Sequence, residues 1–256
     1  MFRFHYQNLY QSAKEPPLLQ ASKILSLAEV WGFQGQTRFS AEQDHRPGPT
    51  GTLHLGPMRQ PRATARSGAG GSTGDIGTHA HNLARFVTGL EVESLAADLD
   101  AFVPGRQVDD NGHIMLRFQG GAKGMLWCSQ VAPGNENALR IRVFGEAGGL
   151  EWAQEDPNYL WHTPFGEPKR VITRNGSGAG DAATRISRVP PGHPEGYLEG
   201  FANIYSEAAD AIVAHREGIE PAAEVMYPTI KDGLKGVEFI DACVRSSARN
   251  AAWVKV

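Results

Sequence analysis

Between residues 111 and 173 the chain repeats one pattern, short alternating apolar runs separated by tight glycine turns, and this limits the folds open to it. Ile114, Leu116 and Phe118 alternate with Met115 and Arg117, and Gly120-Gly121 then turns the chain into a second strand-like run, Ala122 to Val131. Leu139, Ile141 and Val143 alternate with Arg140 and Arg142, which predicts one apolar face and one wet face. Gly148-Gly149 leads into Leu150-Glu151-Trp152, and Tyr159-Leu160-Trp161 and Val171-Ile172-Thr173 continue the series. Turns this short join neighbouring antiparallel strands, whereas parallel strands need a crossover.

Helical patterns flank this region. Ile76 to Val87 reads as a helix closed by Gly89. Tyr197, Phe201, Ile204, Tyr205, Ala208 and Ile212 form a stripe expected to lie on the sheet. Thr229 with Asp232 resembles an N-terminal cap, followed by a second stripe of Leu234, Val237, Ile240 and Val244. The fold class is therefore α+β: a large, open, mostly antiparallel sheet with helices on one face and no Rossmann domain. No strand-linked Gly-x-Gly-x-x-Gly and no βαβ alternation occur. From Pro16 to about Gly74 the sequence is poor in pattern, and Arg46 to Arg66 is crowded with Pro, Gly, Thr and Arg. Residues 1–67 are accordingly read as an irregular N-terminal segment and 68–256 as the patterned domain.

Composition narrows the function classes. The 256 residues are 41% hydrophobic and 21% charged, with a net charge of -3, which offers no basic stripe for nucleic acid. No apolar run is long enough to predict a membrane span, and Met1 to Tyr6 lacks a secretory pattern. Cys128 and Cys243 lack metal-ligand spacing and read as small buried side chains, with the cytoplasm as the expected compartment.

The sharpest local feature is Gly74-Asp75-Ile76-Gly77-Thr78-His79-Ala80-His81. Asp75 and His79 are four apart and share a helix face. One reading is an N-cap with a satisfied histidine. The other is a histidine acid/base oriented by a carboxylate. His79 and His81 point in different directions, so a shared metal ion is rejected. The glycine run Ser67 to Gly74 lacks the dinucleotide spacing and is taken as a flexible lead into the helix. His193, in Gly192-His193-Pro194-Glu195-Gly196-Tyr197, is a candidate pocket residue or a turn residue. Asn135, in a polar turn, and Trp127 are further candidates for substrate contact, though hairpin tips and sheet-face aromatics look the same.

Taken in order, four stretches resemble the C-terminal domain of the glucose-fructose oxidoreductase / inositol dehydrogenase (Gfo/Idh/MocA) family. They are Gly74 to His79, Gly145-Glu146-Ala147-Gly148-Gly149-Leu150-Glu151-Trp152, Gly192 to Tyr197 with Phe201-Ala202-Asn203, and Asp232-Gly233-Leu234 leading to Ser246-Ser247. The resemblance runs from about Gly68 to the C-terminus. It implies an NAD(P)-dependent oxidoreductase acting on a sugar, polyol or related hydroxyl compound, with Asp75 and His79 as the catalytic pair. It also implies homo-oligomers through the exposed sheet face. The family's Rossmann domain and its Glu-Lys-Pro motif have no counterpart; Lys14-Glu15-Pro16 holds the same residues in another order. The chain is thus expected to be truncated, inactive alone, and without tight NAD or NADP binding. Pro16 to Arg66, where the family places a helix and a strand, is expected to be disordered or read in a shifted frame. Two rivals remain: a non-catalytic sugar-binding or oligomerisation module, and a cofactor-free hydrolase or lyase.

Overall fold

The computed structural model describes residues 22–30 and 70–256. Its frame is a sheet of nine strands among the described residues: β1 (Ser22–Val30), β2 (Val92–Asp100), β3 (Asn111–Phe118), β4 (Lys123–Ser129), β5 (Arg140–Gly145), β6 (Gly148–Ala153), β7 (Tyr159–Pro164), β8 (Arg170–Thr173) and β9 (Val254–Lys255). Their order is β8-β7-β6-β5-β1-β4-β3-β2-β9. Every pairing is antiparallel except β1 with β4. Two antiparallel groups of four strands are thus joined through β1. That strand falls inside the stretch that looked poor in pattern, which therefore contributes a central member of the sheet. Residues 31–69, with Lys14-Glu15-Pro16 and Phe2 to Tyr6, lie outside the described residues.

The predicted strand alternation holds. On β3, Ile114, Leu116 and Phe118 are buried while Met115 and Arg117 are exposed; on β5, Ile141 and Val143 are buried between exposed Arg140 and Arg142. Gly148 is held to its identity by close approach, because a Cβ there would sit 2.3 Å from the Thr163 carbonyl oxygen.

Among the described residues four α-helices accompany the sheet: α1 (Thr78–Thr88), α2 (Asp181–Ile186), α3 (Tyr197–Glu217) and α4 (Ile230–Ser247). Gly89 closes α1 in the left-handed conformation expected of a C-terminal glycine. Thr229 and Asp232 form the expected capping box on α4. The helix faces, however, differ from the predicted stripes. In α4 the buried residues are Gly236, Phe239, Ala242, Cys243 and Ser246, while Val237 is 63% exposed. In α3 the buried side chains include Asn203 and Glu207, whereas Tyr205 is 70% exposed and Ile212 60%. Polar partners decide the rotation of α3. Arg185 pairs with Glu207 at 2.6 Å, and Arg188 donates to Asn203 Oδ1 at 2.7 Å. Apolar periodicity could not anticipate charges arriving from α2 and the loop that follows it.

The end of α4 completes the sheet edge. Ser246 Oγ accepts from the Ala97 amide at 2.8 Å, and Ser247 Oγ from the Leu99 amide at 3.2 Å. These β2 amides lie beyond short β9, whose ladder reaches only Ser94 and Leu95. The two serines supply the acceptors that a longer edge strand would have provided. No helix among the described residues is long and apolar enough to cross a membrane.

Candidate active site at one end of the sheet

The helix bearing Asp75 and His79 starts earlier than its sequence suggests, and in a different geometry. A π-turn, Thr73–Gly77, precedes α1 and runs straight into it. Asp75 therefore lies within the first turn and is not the cap. The capping carboxylate comes from Asp109, in the loop before β3. It accepts from the Gly71 amide at 2.5 Å, and from the Ser72 hydroxyl, the Thr73 amide and the Thr73 hydroxyl at 2.8 Å each. An anion at this position satisfies orphan amides and suits the helix dipole. Sequence reasoning missed Asp109 because it lies 36 residues from Thr73. The only signal was the Asp109-Asp110 pair before a predicted strand.

Glycines permit this docking. A Cβ on Gly71 would fall 2.0 Å from the Asp109 carbonyl oxygen. A Cβ on Gly112 would meet Leu99 at 2.9 Å, Thr73 Oγ1 at 3.0 Å and Cys128 Sγ at 3.2 Å. The π-turn thus sits directly on β3 and β4, with Cys128 buried beneath Gly77. The glycine run therefore closes a tight joint over its described part, residues 70 to 74. It leaves no room for a phosphate: the amides that would cradle one already hold the Asp109 carboxylate.

Asp75 is exposed, and its Oδ2 accepts a hydrogen bond from Gln130 Nε2 at 3.1 Å. Gln130 follows β4 and is buried; its backbone N–H donates to the Asp110 carbonyl at 2.8 Å. His79 is half-buried one turn beyond Asp75. Burial lowers its pKa to about 4, against an opposing pull from the Asp75 carboxylate. His79 is therefore neutral at pH 7, with an acceptor nitrogen. His81 has a different setting. It stacks on Phe239 of α4 with ring centroids 4.2 Å apart, and burial lowers its pKa to about 3. The two histidines diverge as their spacing predicts.

Strand directions decide which other candidates can approach. The ends of β4 and β8 and the starts of β5 and β7 share one end of the sheet, since Ser129 pairs with Val30 in parallel while Arg140 pairs with Ala28 and Ala153, and Tyr159 with Thr173. Asn135, in the β4–β5 loop, belongs to that end; its Nδ2 donates to the Ala132 carbonyl at 3.1 Å. His193 belongs there too, with an exposed side chain. Its loop is fixed by buried Arg174, which donates to the carbonyls of Val189, Pro190 and His193 and pairs with Glu195 at 3.2 Å. Asn158 binds the backbone of Glu195 in both directions. Trp127 departs from expectation. It alternates with core-facing Leu126 and Cys128, so it projects to the opposite, open face. There its indole donates to Asn111 Oδ1 at 2.9 Å and stacks on His113. The structure brings together Asp75, His79 and Gln130, places Asn135 and the His193 loop at the same sheet end, and leaves Trp127 on the other side.

Comparison with known proteins agrees with this architecture. An uncharacterised oxidoreductase, YfiI, from Bacillus subtilis (strain 168) is 32% identical over 185 residues, which covers 71% of this chain and 47% of that protein. The crystal structure of an oxidoreductase from Sinorhizobium meliloti is 50% identical with a TM-score of 0.80, covering 99% of this chain and 62% of the other. An inositol dehydrogenase homologue from Azotobacter vinelandii, solved with NADH and myo-inositol, is 26% identical with a TM-score of 0.80 and the same 62% share. The chain spans about half the length of the curated relative and under two thirds of these solved ones. Residues 29–151 match the GFO/IDH/MocA C-terminal domain, a match that reaches back into the stretch poor in pattern, and the chain belongs to the GFO/IDH/MocA family.

Proposed function

We propose that residues 68–256, together with β1, form the substrate side of an NAD(P)-dependent oxidoreductase acting on a sugar, polyol or related hydroxyl compound. The observation that carries this reading is the Asp75–His79 pair on a rigidly docked helix start. His79 is neutral and able to accept a proton, and the carboxylate favours the imidazolium once it forms. His79 would take the hydroxyl proton as the C–H bond is oxidised, and Asp75 would orient the ring and stabilise its charge. A nicotinamide, where one is bound, supplies the hydride acceptor. The glycine-led helix start at residues 70–74 does not fit that dinucleotide's phosphates, because the Asp109 carboxylate already holds its amides. Tight NAD or NADP binding is not expected of these residues. A fluorescence titration with NADH that shows micromolar binding would overturn that expectation.

The substrate assignment is tested on the purified chain by NMR, titrating myo-inositol, levoglucosan and simple hexoses. Binding should shift the His79 ring signals, and His79→Ala should remove any NAD(P)-dependent turnover. Cyclic polyols that shift only residues remote from Asp75 and His79 would sink the assignment.

A second reading, an oligomerisation role, draws on the open sheet face. That face exposes Met115, Met125, Phe144, Trp161 and Val171. It also carries a groove of about 450 Å³ lined by Arg140, Arg142, Glu151, Tyr159, Trp161 and Lys169. Apolar side chains beside charges of both signs suit a second copy of the chain. Sedimentation should show an oligomer that Met115→Glu with Met125→Glu dissociates; a monomer in both cases rules this out.

A further inference from the structure

We infer that Gln130 is a positioning residue for the Asp75–His79 pair: a neutral donor that orients the Asp75 carboxylate without cancelling its charge. This rests on the catalytic reading of Asp75 and His79. The backbone beneath Asp75 is already fixed, because Asp109 gathers Gly71, Ser72 and Thr73, and the Asp75 amide itself donates to the Gly71 carbonyl at 2.9 Å. The freedom left to Asp75 is its own side-chain rotation, since the residue is exposed. Gln130 restricts that rotation from across the joint, 55 residues away, with Nε2 at 3.1 Å from Oδ2.

The choice of donor matters chemically. A lysine or arginine could orient the carboxylate equally well, but its charge would neutralise Asp75. It would also repel the imidazolium that forms when His79 accepts a proton. A primary amide donates one hydrogen bond and leaves the full negative charge to act on His79. Gln130 itself is anchored by its backbone bond to Asp110 and is 7% exposed, so the amide is delivered from a rigid base. Burying a long polar side chain at a strand end costs conformational entropy and desolvation, which an apolar residue there would avoid.

The proposal is tested by histidine NMR titration of the full chain, a readout that needs no turnover. Asp75→Asn sets the full influence of the carboxylate and should lower the His79 pKa. Gln130→Lys should lower it by a similar amount, roughly half a unit or more. Gln130→Met, close in volume but without a donor, should lower it by a smaller step and broaden the His79 signal. Gln130→Asn is a further variant that keeps the amide if either substitution prevents folding; it should also displace the pKa. A His79 pKa unmoved by Gln130 variants but moved by Asp75→Asn overturns the role of Gln130 and leaves the pair intact. A pKa unmoved by Asp75→Asn overturns the coupling of the pair itself, and this inference with it.

Discussion

Two segments at the same end of the sheet are fastened by buried charges of opposite sign. The helix start at Gly71–Thr73 presents amides and hydroxyls, and it is gathered by the Asp109 carboxylate. The loop from Val189 to His193 presents carbonyl oxygens, and it is gathered by the Arg174 guanidinium. In each case the orphaned backbone groups dictate the sign of the anchor. The contrast lies in what balances the charge. Arg174 has Glu195 as a counter-ion, and both side chains are less than one-tenth exposed. Asp109 is held by neutral donors and a helix end, packed through glycines that no other residue could replace. The first joint tolerates no bulk, and the second tolerates no loss of charge.

The largest effect should come from Arg174→Ala. It leaves the buried Glu195 carboxylate without its counter-ion and removes a shared donor from three carbonyls, and should cost about 4 kcal/mol of stability in urea unfolding. A loss within 1 kcal/mol would mean that the loop is held by something other than the guanidinium. Asp109→Ala should cost about 3 kcal/mol, the sum of a lost cap and unpaired donors. It should also move the His79 NMR signals, which Arg174→Ala should leave in place. Equal disturbance of His79 by both variants would erase the distinction between the two joints.

Acid should weaken the helix joint next. The folded pKa values of His79 and His81 lie below the usual 6.5, at about 4 and about 3. The unfolded chain therefore binds these protons first, and stability present above pH 6.5 is lost as pH falls toward 4. Each histidine contributes at most about 1.4 kcal/mol per pH unit. Allowing for the partial exposure of His79, the joint loss at pH 5.5 is about 2 kcal/mol. Replacing His81 by Phe should remove part of this acid sensitivity; an unchanged pH profile would contradict the assignment. The smallest effect belongs to the open face. Met115→Ser and Met125→Ser should each change the stability of the isolated subunit by less than about 0.5 kcal/mol. A larger loss would show that the face is covered within the subunit.

Much of this was legible in the chain itself. The alternation at Ile114, Leu116 and Phe118 and at Ile141 and Val143 repeats the physical pleat, so it forecasts both strand and face. Gly89 and Thr229 with Asp232 were readable because caps are local chemistry. Asp75 and His79 stood out by their four-residue spacing. Gln130 and Asp109 did not, since nothing near either residue in sequence marks it as a partner of the helix start. The apolar stripes of α3 and α4 also misled. Helical spacing says that a face exists, but Arg185 and Arg188 determined which face of α3 turned inward.

By itself, then, the sequence determined the strand pattern, the helix ends and the pair at positions 75 and 79, because each depends on residues within a few positions of one another. The tertiary structure alone decided that β1 joins the two halves of the sheet, that Asp109 caps a helix 36 residues away, and that Trp127 faces away from the site. It also set the neutral state of His79, since burial is a property of the assembled core and not of any short stretch of chain.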